Sequence, residues 1–212
     1  MNLEHKYICF PEALPSRLCN DIIDFGNQKT LQTAQTGDTP QDFENLSEDQ
    51  KQEFYKIRKS KITWLDDYWV FKDIIPFIKE ANKMANWNFD ICAKETPQWT
   101  RYGKTEHYTW HQDSHPKPYN QPGNELHGLI RKLSVTVSLA DGEEYQGGNL
   151  EFDFRDSNDG SSNGSANAVT EKNARKKGSI TVFPSFVWHR VSPVTEGTRY
   201  SLVMWTCGLP FR

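Results

Sequence analysis

Three residues of this chain have the types and spacing to hold a catalytic metal ion: His111 and Asp113 in the run HYTWHQD, and His189 in VFPSFVWHR. Residues two apart on an extended strand point to one side, so His111 and Asp113 reach the same ion from a strand end while Gln112 turns away. His189 ends a second run, SITVFPSFVWH, that reads as another strand able to lie beside the first. Two imidazoles and one carboxylate on one face of a borderline divalent ion leave its opposite face open. That suits iron(II) with a co-substrate and oxygen. None of the candidate ligands is a cysteine, which argues against a structural zinc site. Ten residues beyond His189, Arg199 in GTRYSLVMW offers a fork-shaped cation for a dicarboxylate. The bland alternatives are a buried hydrogen-bonded His–Asp pair and an ordinary strand arginine.

These residues need strands to carry them, and the second part of the chain supplies them. PQWTRYG, EHYTWHQD, RKLSVTVSLAD, GGNLEFDF, GSITVFPSFVWHRV and TRYSLVMWTCG are β-branched and aromatic runs broken by Gly, Pro and Asp. In RKLSVTVSL, Leu133, Val135, Val137 and Leu139 face one way, and Ser134, Thr136 and Ser138 the other. Upstream, KYICFP reads as a short strand and PSRLCNDIIDFGNQ as a helix, with IRKSKITWLDD a further strand. VFKDIIPFIKEANKMANW is an amphipathic helix in which Pro76 marks a kink or the first turn of its main body. TAQTGDTPQDFENLSEDQKQ and RDSNDGSSNGSANAVTEKNARKKG, polar and poor in apolar residues, read as mobile loops. The expected fold is mainly β with flanking α-helices, a double-sheet jelly roll. It forms one domain over 1–212, with 1–88 as helical buttress and substrate-loop region and 89–212 as the core.

The 212 residues allow one sizeable core, and the 7 Trp, 12 Phe and 8 Tyr suit a β-rich interior. A net charge of -3 gives no field to gather nucleic acid or an acidic membrane surface. The start MNLEHKYICFPEALP lacks the pattern of a secretory signal, and no run reaches bilayer-spanning length. The four scattered cysteines read as free thiols in a reducing compartment. A cytoplasmic protein is expected, without nucleic-acid or membrane partners.

Four stretches resemble the 2-oxoglutarate and iron(II)-dependent dioxygenases, and within them the prolyl hydroxylase (prolyl 4-hydroxylase-like) family. They are IRKSKITWL, RYGKTEHYTWHQD with its Y-x-x-H-x-D ending, RKLSVTVSLADGEEYQGGNLEF and GSITVFPSFVWHRVSPVTEGTRYSLVMW. The resemblance implies a double-stranded β-helix, another name for the jelly-roll core. It implies Fe(II) held by His111, Asp113 and His189, 2-oxoglutarate and O2 as co-substrates, and ascorbate as a reductant. Arg199 would pair with the distal carboxylate of 2-oxoglutarate, helped by Ser201, and Tyr102 would line that end of the pocket. Tyr108 stands at the tyrosine of Y-x-x-H, as a pocket residue or core packing. Arg58 lies where those enzymes contact their peptide, and Trp205 near the substrate mouth or in the core. His107, His115 and His127 read as solvated, and the loop SHPKPYNQPGNELHG as bordering the entrance. One departure is Val137, where some relatives carry a tyrosine on the central strand.

The implied reaction hydroxylates a prolyl residue of a protein or peptide and releases succinate and CO2. Three rivals stay open. The same cofactor chemistry could serve a free amino acid, another side chain or a small metabolite. The fold could be a jelly-roll binding module that keeps its ligands without turnover, or a cupin-like enzyme using zinc or manganese.

Overall fold

The computed structural model describes residues 3–36, 43–114, 117–154 and 168–211. The chain begins with strand β1 (Ile8–Phe10), helix α1 (Ser16–Asn27), strand β2 (Gln32–Thr33), helix α2 (Glu48–Ile57) and strands β3 (Arg58–Lys59) and β4 (Lys61–Trp64). Helices α3 (Tyr68–Phe71) and α4 (Ile75–Met84) follow, then strands β5 (Ala93–Lys94), β6 (Gln98–Tyr102), β7 (His107–His111) and β8 (Ile130–Ser138). The remainder is β9 (Tyr145–Gly147), β10 (Leu150–Asp153), β11 (Val169–Thr170), β12 (Ile180–Pro184), β13 (Trp188–Val191), β14 (Val194–Gly197) and β15 (Arg199–Gly208).

A major antiparallel sheet runs β1-β12-β8-β15-β6-β4-β2, with β5 paired to the far end of β15. A minor sheet runs β11-β10-β13-β7-β3, and β9 pairs with β14. The alternation of β8 sorts its side chains as expected. Leu133, Val135, Val137 and Leu139 join Ile22, Ile74 and Ile78 in the core between the major sheet and the helices. The opposite face meets the minor sheet, where Phe183 of β12 packs edge-on against Phe152 of β10 at 5.0 Å. Two sheets closed over a shared interior, with helices outside one of them, make the jelly roll that strand spacing predicts. Helix α1 lies so close to this sheet that a Cβ on Gly26 would sit 2.5 Å from the Trp99 indole.

The structure corrects five readings. Part of the first expected loop is helix α2, opened by a capping box in which Ser47 Oγ accepts from Gln50 N–H and Gln50 Oε1 accepts from Ser47 N–H. Of that loop, residues 37–42 lie outside the described residues. IRKSKITWLDD is two strands: β3 pairs with β7 of the minor sheet, and β4 with β6 of the major sheet. SITVFPSFVWHRV also divides, because Pro184 ends β12 and Val187 N–H bonds its carbonyl in a turn before β13. The single amphipathic helix is instead two, α3 and α4; Pro76 stands in the first turn of α4, one of the two places expected for it, where a missing N–H costs nothing. In the second expected loop, 155–167 lie outside the described residues, but Arg175 beyond them is firmly held. Its guanidinium donates to the carbonyls of Gly142, Tyr145 and Gly147.

Candidate metal centre

His111 ends β7, and its register partner across the minor sheet is His189 of β13. Their rings lie 4.1 Å apart. Asp113 is past the strand end, in a bend held by the amides of Asp113 and Ser114, which both donate to the Ser185 carbonyl at 2.9 Å. The bend returns the carboxylate to the imidazoles, with Oδ1 3.7 Å from His111 Nε2 and Oδ2 3.5 Å from His189 Nε2. One ligand atom of each residue falls within 4.8 Å of the others. A single ion about 2.1 Å from each donor spans at most about 4.2 Å, which covers both carboxylate–imidazole separations.

The orientation of these side chains is built in. Each imidazole Nδ1 lies against a backbone carbonyl, Thr109 for His111 at 2.7 Å and Val187 for His189 at 2.9 Å. An Nδ1–H donated there leaves Nε2 as the ligating lone pair. Ser134 Oγ donates to Asp113 Oδ2 at 2.6 Å and lies 2.9 Å from Ser185 Oγ. Burial, reinforced by His189, pushes His111 well below the usual imidazole range, so it stays neutral. Burial alone would raise Asp113, yet His189, His111, Arg131 and the Ser134 hydroxyl together hold its carboxyl well below the usual range. Neutral imidazole and ionised carboxylate are the metal-binding forms.

The family model for the 2OG-Fe(II) oxygenase superfamily matches residues 97–207, from β6 through β15, including all three of these residues and Arg199. The chain belongs to this superfamily. Over 110 residues the chain is 32% identical to a PKHD-type hydroxylase of Janthinobacterium sp. (strain Marseille), an alignment covering 51% of this chain and 42% of the relative. A PKHD-type hydroxylase of Escherichia coli O1:K1 / APEC is 33% identical over 113 residues, covering 52% and 42%. The matches thus span less than half the length of these curated relatives. Among solved structures, the viral collagen prolyl hydroxylase from Paramecium Bursaria Chlorella virus-1 superposes with TM-score 0.64 at 18% identity, over 97% of this chain and 98% of the other. A prolyl hydroxylase from Trichoplax adhaerens, solved with a hypoxia inducible factor peptide fragment, gives 0.65 at 16%, over 96% and 84%. At these identities the likeness is one of fold.

The structure places the other sequence candidates around these three residues in two groups. Arg199, first residue of β15, is buried and pairs in register with Tyr102. Its guanidinium lies 5.3 Å from the Tyr102 ring, its Nη1 donates to Ser201 Oγ at 3.1 Å, and its stem passes over Gly148, where a Cβ would come within 3.0 Å. Tyr108 packs against the cluster of Tyr102, Val191 and Val194 and stacks on His111 at 3.5 Å. Burial pushes its hydroxyl up to about 12, so it remains protonated. Val137 points to the helix-side core. The inward position of that strand is Ser138, register partner of Ser201.

The second group lines a cavity of about 870 Å³ that includes His111 and Asp113. Arg58 lies in it, 4.6 Å from the Tyr108 ring, and so does Trp205, with the Arg131 guanidinium 4.0 Å from its ring. Arg131 makes a bidentate pair with Glu95 at 2.6 Å, and Tyr119 of the 114–128 loop adds its hydroxyl at 2.7 Å. His107 bonds the Thr105 and Lys56 carbonyls, His127 accepts from Gln121 N–H, and neither joins the metal group. His115 lies outside the described residues. Sequence reasoning missed Ser134, Ser185, Gln98, Arg131 and Glu95. For Ser134 a signal existed, since its alternation with Leu133 and Val135 places it on the inward face.

Proposed function

We propose that this oxygenase hydroxylates a prolyl residue in a protein or peptide, with 2-oxoglutarate as co-substrate and succinate and CO2 as products. The observation carrying the reading is the cavity shared by His111, Asp113, Arg58 and Trp205. It meets a second groove of about 640 Å³ at Trp64, which lines both. An extended peptide suits that shape better than a free amino acid, the nearest rival substrate. The prolyl hydroxylases that share this fold support the same reading.

The donor set fits iron(II), since two imidazoles and a carboxylate converge on one point. When bound, iron(II) with 2-oxoglutarate and O2 supplies the oxidising power to hydroxylate a C–H bond. The protein's work is holding and orienting. His111, Asp113 and His189 hold the ion; the Thr109 and Val187 carbonyls and Ser134 fix their directions. Arg199 and Ser201 take the distal carboxylate of 2-oxoglutarate. Tyr102 and Tyr108 wall its pocket and keep water from it. Arg58 and Trp205 meet the prime substrate.

Ascorbate as reductant belongs to this proposal. So does a cytoplasmic setting, in keeping with the free thiols of Cys9, Cys19, Cys92 and Cys207. No helix among the described residues is long and apolar enough to cross a membrane. The test is peptide mass spectrometry after reaction of the iron(II) enzyme, 2-oxoglutarate and oxygen with cell extract. The proposal expects single-oxygen gains on proline. Gains confined to other residues overturn the prolyl substrate, and no succinate with any extract favours a binding module.

A further inference from the structure

Two arginines, Arg58 and Arg199, are buried without a carboxylate partner among the described residues, at 8% and 2% exposure. A desolvated guanidinium is costly unless an anion joins it. Arg199 has its anion in the co-substrate of the proposed reaction. Arg58 is the unexplained charge. Its Nε contacts Ser60 Oγ at 3.3 Å and its Nη2 donates to Gln98 Oε1 at 2.7 Å, both neutral acceptors. Its guanidinium carbon lies 4.6 Å from the centre of the Tyr108 ring, and it lines the cavity that includes His111 and Asp113.

From this we infer that Arg58 is a carboxylate subsite for the prime substrate, selecting a peptide with an acidic residue next to the residue presented to the metal. The inference rests on the reading of the protein as a peptide hydroxylase. Two stacking intervals, 4.6 Å from Arg58 to the Tyr108 ring and 3.5 Å from that ring to His111, separate the cation from a metal ligand. An extended chain advances about 3.3–3.6 Å per residue, so Arg58 faces a side chain one or two positions from the reacting residue. The charge count favours carboxylate over phosphate. The other arginine of the cavity, Arg131, is already neutralised by Glu95, which leaves a single fork for a single planar anion. A second donor belongs to a residue of the same wall: among the described residues the Trp205 indole N–H is buried with no acceptor.

The test measures binding to anaerobic iron(II) enzyme saturated with 2-oxoglutarate, so that the Arg199 site is filled. The probes are a blocked pentapeptide with proline at its centre flanked by two glutamates, the same peptide with glutamines, and the pair N-acetylproline and N-acetylprolinamide. Each comparison is a ratio of dissociation constants on one preparation, so it does not depend on the folded fraction. In wild type the charged member of a pair binds at least about tenfold tighter, the scale of a charge-assisted bond. Arg58→Gln closes the gap and Arg58→Lys keeps most of it. Equal affinities in wild type, no binding of either anion, or a gap that survives Arg58→Gln overturns the subsite. Arg58-dependent binding without any hydroxyproline product leaves the subsite standing and removes the prolyl reading instead.

Discussion

Ser134 gives the sharpest prediction, because it acts on the metal without touching it. Its hydroxyl donates to Asp113 Oδ2 across 2.6 Å from a fully buried strand position, so water cannot replace it when it is removed. A hydrogen bond to a charged acceptor is worth about 1.5–3 kcal/mol, and loss of a group that orients a ligand lowers metal affinity about 10–100-fold. Ser185 Oγ, 2.9 Å from the deleted oxygen, can turn towards the carboxylate and recover part of the bond, which sets the lower end of that range. Ser134→Ala is therefore expected to raise the Mn(II) dissociation constant by about 10-fold or more, read from the free-ion signal in electron paramagnetic resonance titrations without 2-oxoglutarate. Ser138→Ala is the control: it lies on the same strand face, but its hydroxyl serves the Ala140 carbonyl, and its metal affinity should equal wild type. A Ser134→Ala protein that melts normally and binds Mn(II) within about twofold of wild type, well inside the expected range, would refute the reasoning.

Three further outcomes follow from the geometry. Arg199→Ala should weaken 2-oxoglutarate binding by more than about 1.5 kcal/mol and leave metal affinity unchanged; calorimetry showing intact 2-oxoglutarate affinity would move the anchor elsewhere, to Arg58 first. Gly26→Ala should cost about 1–3 kcal/mol in urea unfolding despite alanine's better helix propensity, because its methyl meets the Trp99 indole. An unchanged midpoint would contradict that contact. Ser47→Ala should destabilise α2 by about 1 kcal/mol, seen as faster amide exchange over Glu48–Ile57 and no change in β8. Uniform exchange in both would show that the capping box does not set the helix's stability.

The meeting of His111, Asp113 and His189 was readable because H-x-D at a strand end and a later strand histidine are statements about period-two geometry, and the sheet pairs the two histidines in register. The inward and outward faces of β8 were readable for the same reason. What failed was continuity. Nothing local in IRKSKITWL or SITVFPSFVWH says that a run changes sheets midway, at Ser60 and at the Ser185 turn, because that depends on which strands lie beside it. Helix α2 was missed although S-E-D-Q is a capping-box pattern, since its polar, weakly amphipathic sequence resembles a loop. The Ser134 contact and the Arg131–Glu95 pair join residues 21 and 36 positions apart, separations at which sequence carries no distance.

The central claim is a three-ligand iron(II) centre that accepts 2-oxoglutarate, and the direct test is the visible spectrum of anaerobic, iron(II)-loaded, zinc-free protein as 2-oxoglutarate is added. The account predicts a weak charge-transfer band that saturates with one equivalent bound, needs no prime substrate, and is lost in His189→Ala. Folded wild-type protein that gives no band, or a His189→Ala protein that keeps it, would contradict the account.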